Sequence, residues 1–270
     1  MKLEQLLESV MTIAVDAGQA ISEIYDSGDF EALEKSDQTP VTTADLAAND
    51  VILKGLSQLP VDYPILSEES EHIPYNQRSH WNRYWLVDPL DGTGEFIQRS
   101  GDFAVNIALI EAGVPIMGII HAPVSGVSYA AIRGQCVFRR DPDGTDTPIH
   151  SRSLKPKEEK LRFAISRRQK LDLITQCLPA GVNAEFIPFG SSTLKSCMVA
   201  EGSADCYLRI GPTGEWDTGA AQCIVSQAGG AVMTMGLEPL TYNQRESFEN
   251  PNFMVVADPD YRWGDIIRSH

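Results

Sequence analysis

Between Pro64 and Arg139, short runs rich in β-branched and aromatic residues follow one another, and this stretch restricts the fold more than any other. Tyr84 to Val87, Ala104 to Ile110, Ile116 to Ala122, Val127 to Ile132 and Cys136 to Arg139 have the length and composition of strands. Ala112-Gly113, Ser125-Gly126 and Gly134 supply turn residues between them, so the stretch reads as an antiparallel meander. Helical periodicity precedes it. Leu3, Leu6, Leu7, Val10, Ile13, Ala14, Ala17, Ile21 and Ile24 share one helix face, and Asp26-Ser27-Gly28 stops the pattern. A second helix is expected after Pro40-Val41-Thr42-Thr43, capped by a threonine and running through Leu46, Val51, Ile52 and Leu56 to Pro60, with Asp45 in its first turn.

The polar stretch from Asp141 to Lys160 marks the expected domain boundary. Beyond it strands and helices alternate: Phe163 to Ser166, Leu171 to Cys177, Glu185 to Pro188, Ser192 to Ala200, Tyr207 to Ile210, Trp216 to Gln227 and Ala231 to Thr234. The expectation is a mixed α+β / α/β chain. Residues 1–159 form an antiparallel-rich N-terminal domain, and residues 160–270 form a smaller α/β domain. No internal repeat or low-complexity tract interrupts this plan.

Lys and Arg number 22 against 37 Asp and Glu, a net charge of −15. No global basic field draws in nucleic acid or anionic lipid. A polyanionic substrate must therefore be bound locally, for instance through cations held by clustered acids. Cys136, Cys177, Cys197, Cys206 and Cys223 form no C-x-x-C pair and mostly lie in apolar stretches, as reduced buried thiols do. Met1-Lys2-Leu3-Glu4-Gln5 has no signal-peptide pattern and no apolar run reaches bilayer length. A cytoplasmic protein without a transmembrane segment is expected, with peripheral contact at the inner membrane left open.

The strongest chemical signal is Asp88-Pro89-Leu90-Asp91-Gly92-Thr93, which follows the apolar run Tyr84 to Val87. Pro89 fixes φ and removes a donor, stopping the ladder so that both carboxylates and the Leu90 carbonyl converge. Such a mixed oxygen set suits Mg²⁺. Alone, the segment is an ordinary turn signal. Two further acidic sites accompany it, each at the end of an expected element: Glu68-Glu69 after Ile65-Leu66-Ser67, and Asp217 in Glu215-Trp216-Asp217-Thr218. Singly these read as solvated charges or helix caps; together they read as one metal site.

These three motifs in this order resemble the signatures of the lithium-sensitive inositol monophosphatase superfamily. The likeness extends to Pro40-Val41-Thr42-Thr43-Ala44-Asp45, Asn106-Ile107-Ala108-Leu109-Ile110, Val199-Ala200-Glu201-Gly202 and Tyr242-Asn243-Gln244-Arg245-Glu246-Ser247. Within the superfamily it points to the bacterial 3'(2'),5'-bisphosphate nucleotidases. The resemblance implies a layered α-β-α-β-α sandwich of the sugar phosphatase type. It also implies that Glu68, Asp88, Asp91, Asp217 and the Leu90 carbonyl bind two or three Mg²⁺ ions. The amides of Gly92 and Thr93 would hold the scissile phosphate, and Asp45, Thr93 and Glu68 would serve the attacking water. Gly190, Ser191 and Thr213 would lie near the nucleoside. The implied reaction is hydrolysis of adenosine 3',5'-bisphosphate to AMP and phosphate in support of sulfate assimilation, without a phosphoenzyme. The enzyme would act as a monomer or homodimer on a small phosphorylated nucleotide.

Two positions depart from that pattern. Gly94 stands where a lysine is usual, and Ser191-Ser192-Thr193-Leu194-Lys195 is one residue longer than Gly-Ser-Ser-Leu-Lys, leaving Lys195 either facing substrate or on a helix surface. Other motifs carry less. Ser192-Thr193-Leu194-Lys195 matches S-x-x-K without its partner motifs. Asp141-Pro142-Asp143-Gly144 reads as a surface hairpin rather than a calcium loop. His72, His80, His121, His150 and His270 lack zinc-site spacing, with His121 structural, and no phosphate-binding P-loop occurs. The competing functions are an inositol monophosphatase, a sugar bisphosphatase and a catalytically silent nucleotide-binding regulator.

Overall fold

A computed structural model describes residues 2–34, 40–71, 73–155, 160–167, 171–179 and 181–267. His72, His270 and the expected boundary after residue 159 lie outside the described residues. Helix α1 (Leu3–Ser27) ends on Gly28 at φ 69°, a left-handed stop that glycine adopts without strain. A short antiparallel pair, β1 (Ala32–Glu34) and β2 (Pro40–Thr42), leads into α2 (Thr43–Ser57). The α2 cap is Thr42, whose side chain accepts from Ala44 N while Asp45 accepts from Thr42 N at 2.8 Å. That box explains both the helix start and the fixed position of Asp45.

The meander is a seven-stranded sheet: β3 (Ile65–Ser67), β4 (Arg83–Asp91), β5 (Ala104–Glu111), β6 (Val114–Ala122), β7 (Val127–Ile132), β8 (Cys136–Arg140) and β9 (Asp146–Pro148), in that spatial order. All neighbours are antiparallel except β3, which runs parallel to β4. The short helices α3 (Tyr75–Arg78) and α4 (Thr93–Ile97) flank β4, and Asp141 to Gly144 turn the chain from β8 into β9. One expectation is corrected here. Pro89 does not end the β4 ladder at Asp88: pairing with β5 skips the proline through a bulge and resumes at Asp91 with Ala104.

The later residues form a second sheet in the order β11-β10-β12-β14-β13, from β10 (Leu161–Ser166), β11 (Ala184–Phe189), β12 (Cys206–Arg209), β13 (Ala231–Thr234) and β14 (Phe253–Val256). Helices α5 (Leu171–Gln176), α6 (Ser192–Ala200), α7 (Trp216–Gln227) and α8 (Trp263–Ile266) accompany it.

Strand alternation shows the layers. Trp85, Val87, Ile107 and Leu109 pack with α1 and α2 on one face of the first sheet. Leu86, Ala108 and Ile110 pack on its other face with α6 and α7, and so do Ala164, Tyr207, Phe253 and Val255 of the second sheet. Phe163, Leu208, Met254 and Val256 point away, toward Ile174 of α5 and Trp263 of α8. The result is an α-β-α-β-α sandwich whose central helix layer is shared by both sheets. Cys177, Cys197, Cys206 and Cys223 are buried, Cys136 is half-buried, and all five are free thiols. No helix among the described residues is long and apolar enough to cross a membrane.

Candidate active site

The bulge in β4 brings two carboxylates to one end of the first sheet. Asp88 Oδ1 accepts from Leu90 N at 3.0 Å, and Asp88 Oδ2 accepts from Asn106 Nδ2 at 3.3 Å. Asp217 comes from the first turn of α7, its Oδ2 accepting from Gly214 N at 2.6 Å. Asp88, Asp91 and Asp217 can each aim an oxygen so that all lie within 4.8 Å of one another. Glu68 follows β3, and its amide donates to Val87 O at 3.1 Å.

Burial pushes the Asp88 carboxyl well above the ordinary carboxylate range, and repulsion from Glu68, Asp217 and Asp91 adds to it. Asp217 moves the same way, first through burial and then through Asp91 and Glu68. Carboxylates this close remain ionised together only with positive charge among them. A donor set made of hard oxygens suits a small divalent cation, so the residues fit the metal that their pattern implies.

Asp45 is 1% exposed. Its Oδ2 accepts from Thr42 Oγ1 at 2.6 Å, and its Oδ1 accepts from Thr93 Oγ1 at 2.8 Å. Burial raises Asp45 as well, against those hydrogen bonds. Between the acids, Gly92 at φ 98° turns the chain into α4 with its α-carbon beside Asp102 O, where a Cβ would stand 3.1 Å away.

A cavity of about 720 Å³ opens on this cluster. Glu68, Asp91, Gly92, Ser191, Thr213 and Asp217 line it, whereas Asp45, Asp88, Leu90, Thr93 and Gly190 are not among its lining residues. Gly190 donates its amide to Asp102 Oδ2 at 3.0 Å. Ser191, held at φ 35°, donates its hydroxyl to Asp91 Oδ2, as does the Thr193 hydroxyl, and Thr193 N reaches the same oxygen at 2.9 Å. The N-terminal end of α6, beside the second sheet, thus holds an acid of the first.

Two residues here carry no site expectation from the sequence: Arg209, and Thr193, which it offers only within Ser192-Thr193-Leu194-Lys195. Lys195 is not on a helix surface: it is 3% exposed, lines the cavity, and donates to Gly190 O at 2.8 Å. Burial lowers its ammonium to about 8. Arg209, at the end of β12, also lines the cavity, and its Nε is buried without a hydrogen-bond partner. Gly94 brings no cation, but these two stand in the same wall.

The family model for the inositol monophosphatase family matches residues 2–257. The chain belongs to the inositol monophosphatase family. This family member is 45% identical over 252 residues to the 3'(2'),5'-bisphosphate nucleotidase CysQ of Salmonella typhimurium, covering 93% of this chain and 99% of that one. It is 39% identical over 265 residues to the protein of the same name from Aggregatibacter actinomycetemcomitans, covering 98% and 97%. Among solved structures, CysQ from Bacteroides thetaiotaomicron matches with a TM-score of 0.80 at 35% identity, covering 94% of this chain and 97% of that one. The layered sandwich is the fold of this family.

Proposed function

We propose that this protein is a Mg²⁺-dependent 3'(2'),5'-bisphosphate nucleotidase that hydrolyses adenosine 3',5'-bisphosphate to AMP and phosphate, in support of sulfate assimilation. It is a phosphoric monoester hydrolase. The observation that carries the reading is near full-length likeness to nucleotidases of that name, joined to an acid cluster that opens on a cavity holding Lys195 and Arg209. An inositol monophosphate carries one phosphate; a nucleoside bisphosphate carries a second, for which these two cations are the available partners.

Glu68, Asp88, Asp91, Asp217 and the Leu90 carbonyl would hold two or three Mg²⁺ ions. When bound, the ions would neutralise the transferring phosphoryl group and acidify the attacking water. The chain's own groups do the rest. Thr93 donates to Asp45 at 2.8 Å, so its oxygen is free to accept a proton from water while Asp45 takes its own. Glu68 faces the same cavity and orients that water. The amides of Gly92 and Thr93 at the start of α4 would receive the phosphate oxygens. The lobes divide the work as residues 1–159 and 160–270, with the enzyme acting in the cytoplasm as a monomer or homodimer.

Phosphate release with Mg²⁺, offering adenosine 3',5'-bisphosphate, inositol 1-phosphate and fructose 1,6-bisphosphate side by side, tests this reading. The nucleotide should be preferred, with inhibition by lithium. Preference for inositol 1-phosphate overturns the substrate assignment.

A further inference from the structure

The cavity also presents two partly buried aromatic rings, Trp216 and Phe248, with centroids 5.5 Å apart and planes at 47°. Trp216 lies against Gly214, where a Cβ would stand 2.3 Å from its Cε2. Only glycine lets the indole occupy this place. Phe248 is held from behind, because the guanidinium carbon of Arg78 stands 3.9 Å from its ring centroid, in cation–π contact.

Arg78 is 0% exposed, and each of its three side-chain nitrogens donates to the chain. Nε donates to Ile73 O at 3.2 Å, Nη1 to Asn243 Oδ1 and Nη2 to Glu246 O, while Asn243 Nδ2 donates back to Arg78 O at 2.7 Å. Burying a guanidinium is costly unless every donor is met, and an apolar side chain would fill the space more cheaply. Its presence is accounted for by what it fixes, the segment 243–248 that ends in Phe248. Glu215 N donates to Phe248 O at 2.9 Å, tying that segment to the start of α7. Near the rings, the Thr213 hydroxyl is buried and without a hydrogen-bond partner in the same cavity wall.

We infer that Trp216 and Phe248 form the face against which the planar base of the substrate packs, and that Arg78 is the positioning residue that holds Phe248 there. This inference rests on the nucleotidase reading and names its base subsite. Two tilted rings admit a base stacked on one and edge-on to the other. A cavity of about 720 Å³ accommodates an entire nucleotide, whereas a sugar or inositol phosphate has no flat face to offer these rings.

The test is calorimetric titration of the Mg²⁺-loaded full chain with AMP and with ribose 5-phosphate, for the wild type, Phe248→Leu and Arg78→Lys. Phe248→Leu should weaken AMP by about tenfold, within the range of base–aromatic stacking, and shift ribose 5-phosphate by less than about twofold. Arg78→Lys cannot reproduce the forked contacts and should lose AMP affinity selectively; in the Phe248→Leu background it should add little. Should Arg78→Lys fail to fold, Phe248→Leu decides the matter alone. Equal losses for both ligands, an unchanged AMP affinity, or a wild type that binds AMP no better than ribose 5-phosphate overturns the inference. Turnover of adenosine 3',5'-bisphosphate is scored separately, so its absence would remove the nucleotidase reading without standing in for the binding result.

Discussion

On the first sheet's side of the cavity, the functional groups sit on regular, buried structure. Asp88 and Asp91 lie on β4 at 1% and 7% exposure, and Asp45 is locked in a capping box. On the second sheet's side they come mainly from loops and element ends: Ser191, Thr213, Trp216 and Phe248, with Arg209 closing β12. Rigid elements hold reacting groups to tight tolerances, while loops tolerate change. Under the proposed function, the contrast would separate a part that hydrolyses the phosphoester from a part that selects its substrate; among the described residues, Asp217 alone crosses from the second part into the acid cluster.

The sharpest way to break that division is Asp91→Asn. Neutralising this acid should lower turnover of every phosphate substrate by more than about 100-fold, beyond the range of groups that only support a metal ligand, with near-ultraviolet circular dichroism unchanged. Retained activity would remove Asp91 from the cluster. Next comes the joint between the two sides. Thr193→Val keeps the amide to Asp91 but loses the hydroxyl, and should cost about 10- to 100-fold in turnover, as supporting partners of metal ligands do. The loss should be equal for nucleotide and inositol substrates; a loss confined to one would move Thr193 to the selective side.

A smaller effect tests selection itself. Arg209→Gln removes a charged donor worth roughly 1.5–3 kcal/mol to a phosphate. It should raise KM for adenosine 3',5'-bisphosphate by about tenfold or more while leaving kcat within about twofold. A matching rise for inositol 1-phosphate would show that Arg209 serves the scissile phosphate instead.

The same contrast decides what could be read from the chain alone. The acids of β4 were legible because an apolar run ending in Asp-Pro-x-Asp-Gly is unusual in combination with Glu68 and Asp217. The meander was legible through its turn residues. Lys195 was legible only as two alternatives, facing substrate or lying on a helix surface, because its burial depends on Tyr207, whose ring lies 5.0 Å from its ammonium; Arg209 was not legible, since a single basic residue has no period. Strand β14 also escaped: Phe253–Val256 is a four-residue apolar run, and only tertiary pairing inserts it between β12 and β13. The bulge at Pro89 escaped because the resumption at Asp91 depends on where Ala104 arrives from another strand.

The two sides should also differ in how they meet acid. His121 of β6 is 5% exposed, pairs through Nδ1 with Ser128 Oγ at 2.9 Å, and is pushed by burial down to about 4. Its folded value lies below the unfolded value of about 6.5, so its contribution is complete above that pH and is lost as pH falls toward 4. On the other side, burial alone would raise Asp205, but hydrogen bonds and ion pairs from Arg162 and Arg152 overrule it and hold its carboxyl below the ordinary range. That contribution persists until pH falls below about 3.9, the usual aspartate value. Asp45, Asp88 and Asp217 oppose the trend, because their raised carboxyls gain from protonation in the folded state. Comparing His121→Asn with the wild type cancels those terms. The variant should lose stability less steeply between pH 6.5 and 4.5, by roughly 1 kcal/mol per pH unit, in denaturant titrations at fixed ionic strength. A difference that stays constant across that window would mean that His121 titrates as it does in an unfolded chain, and that the first sheet is no more acid-sensitive than the second.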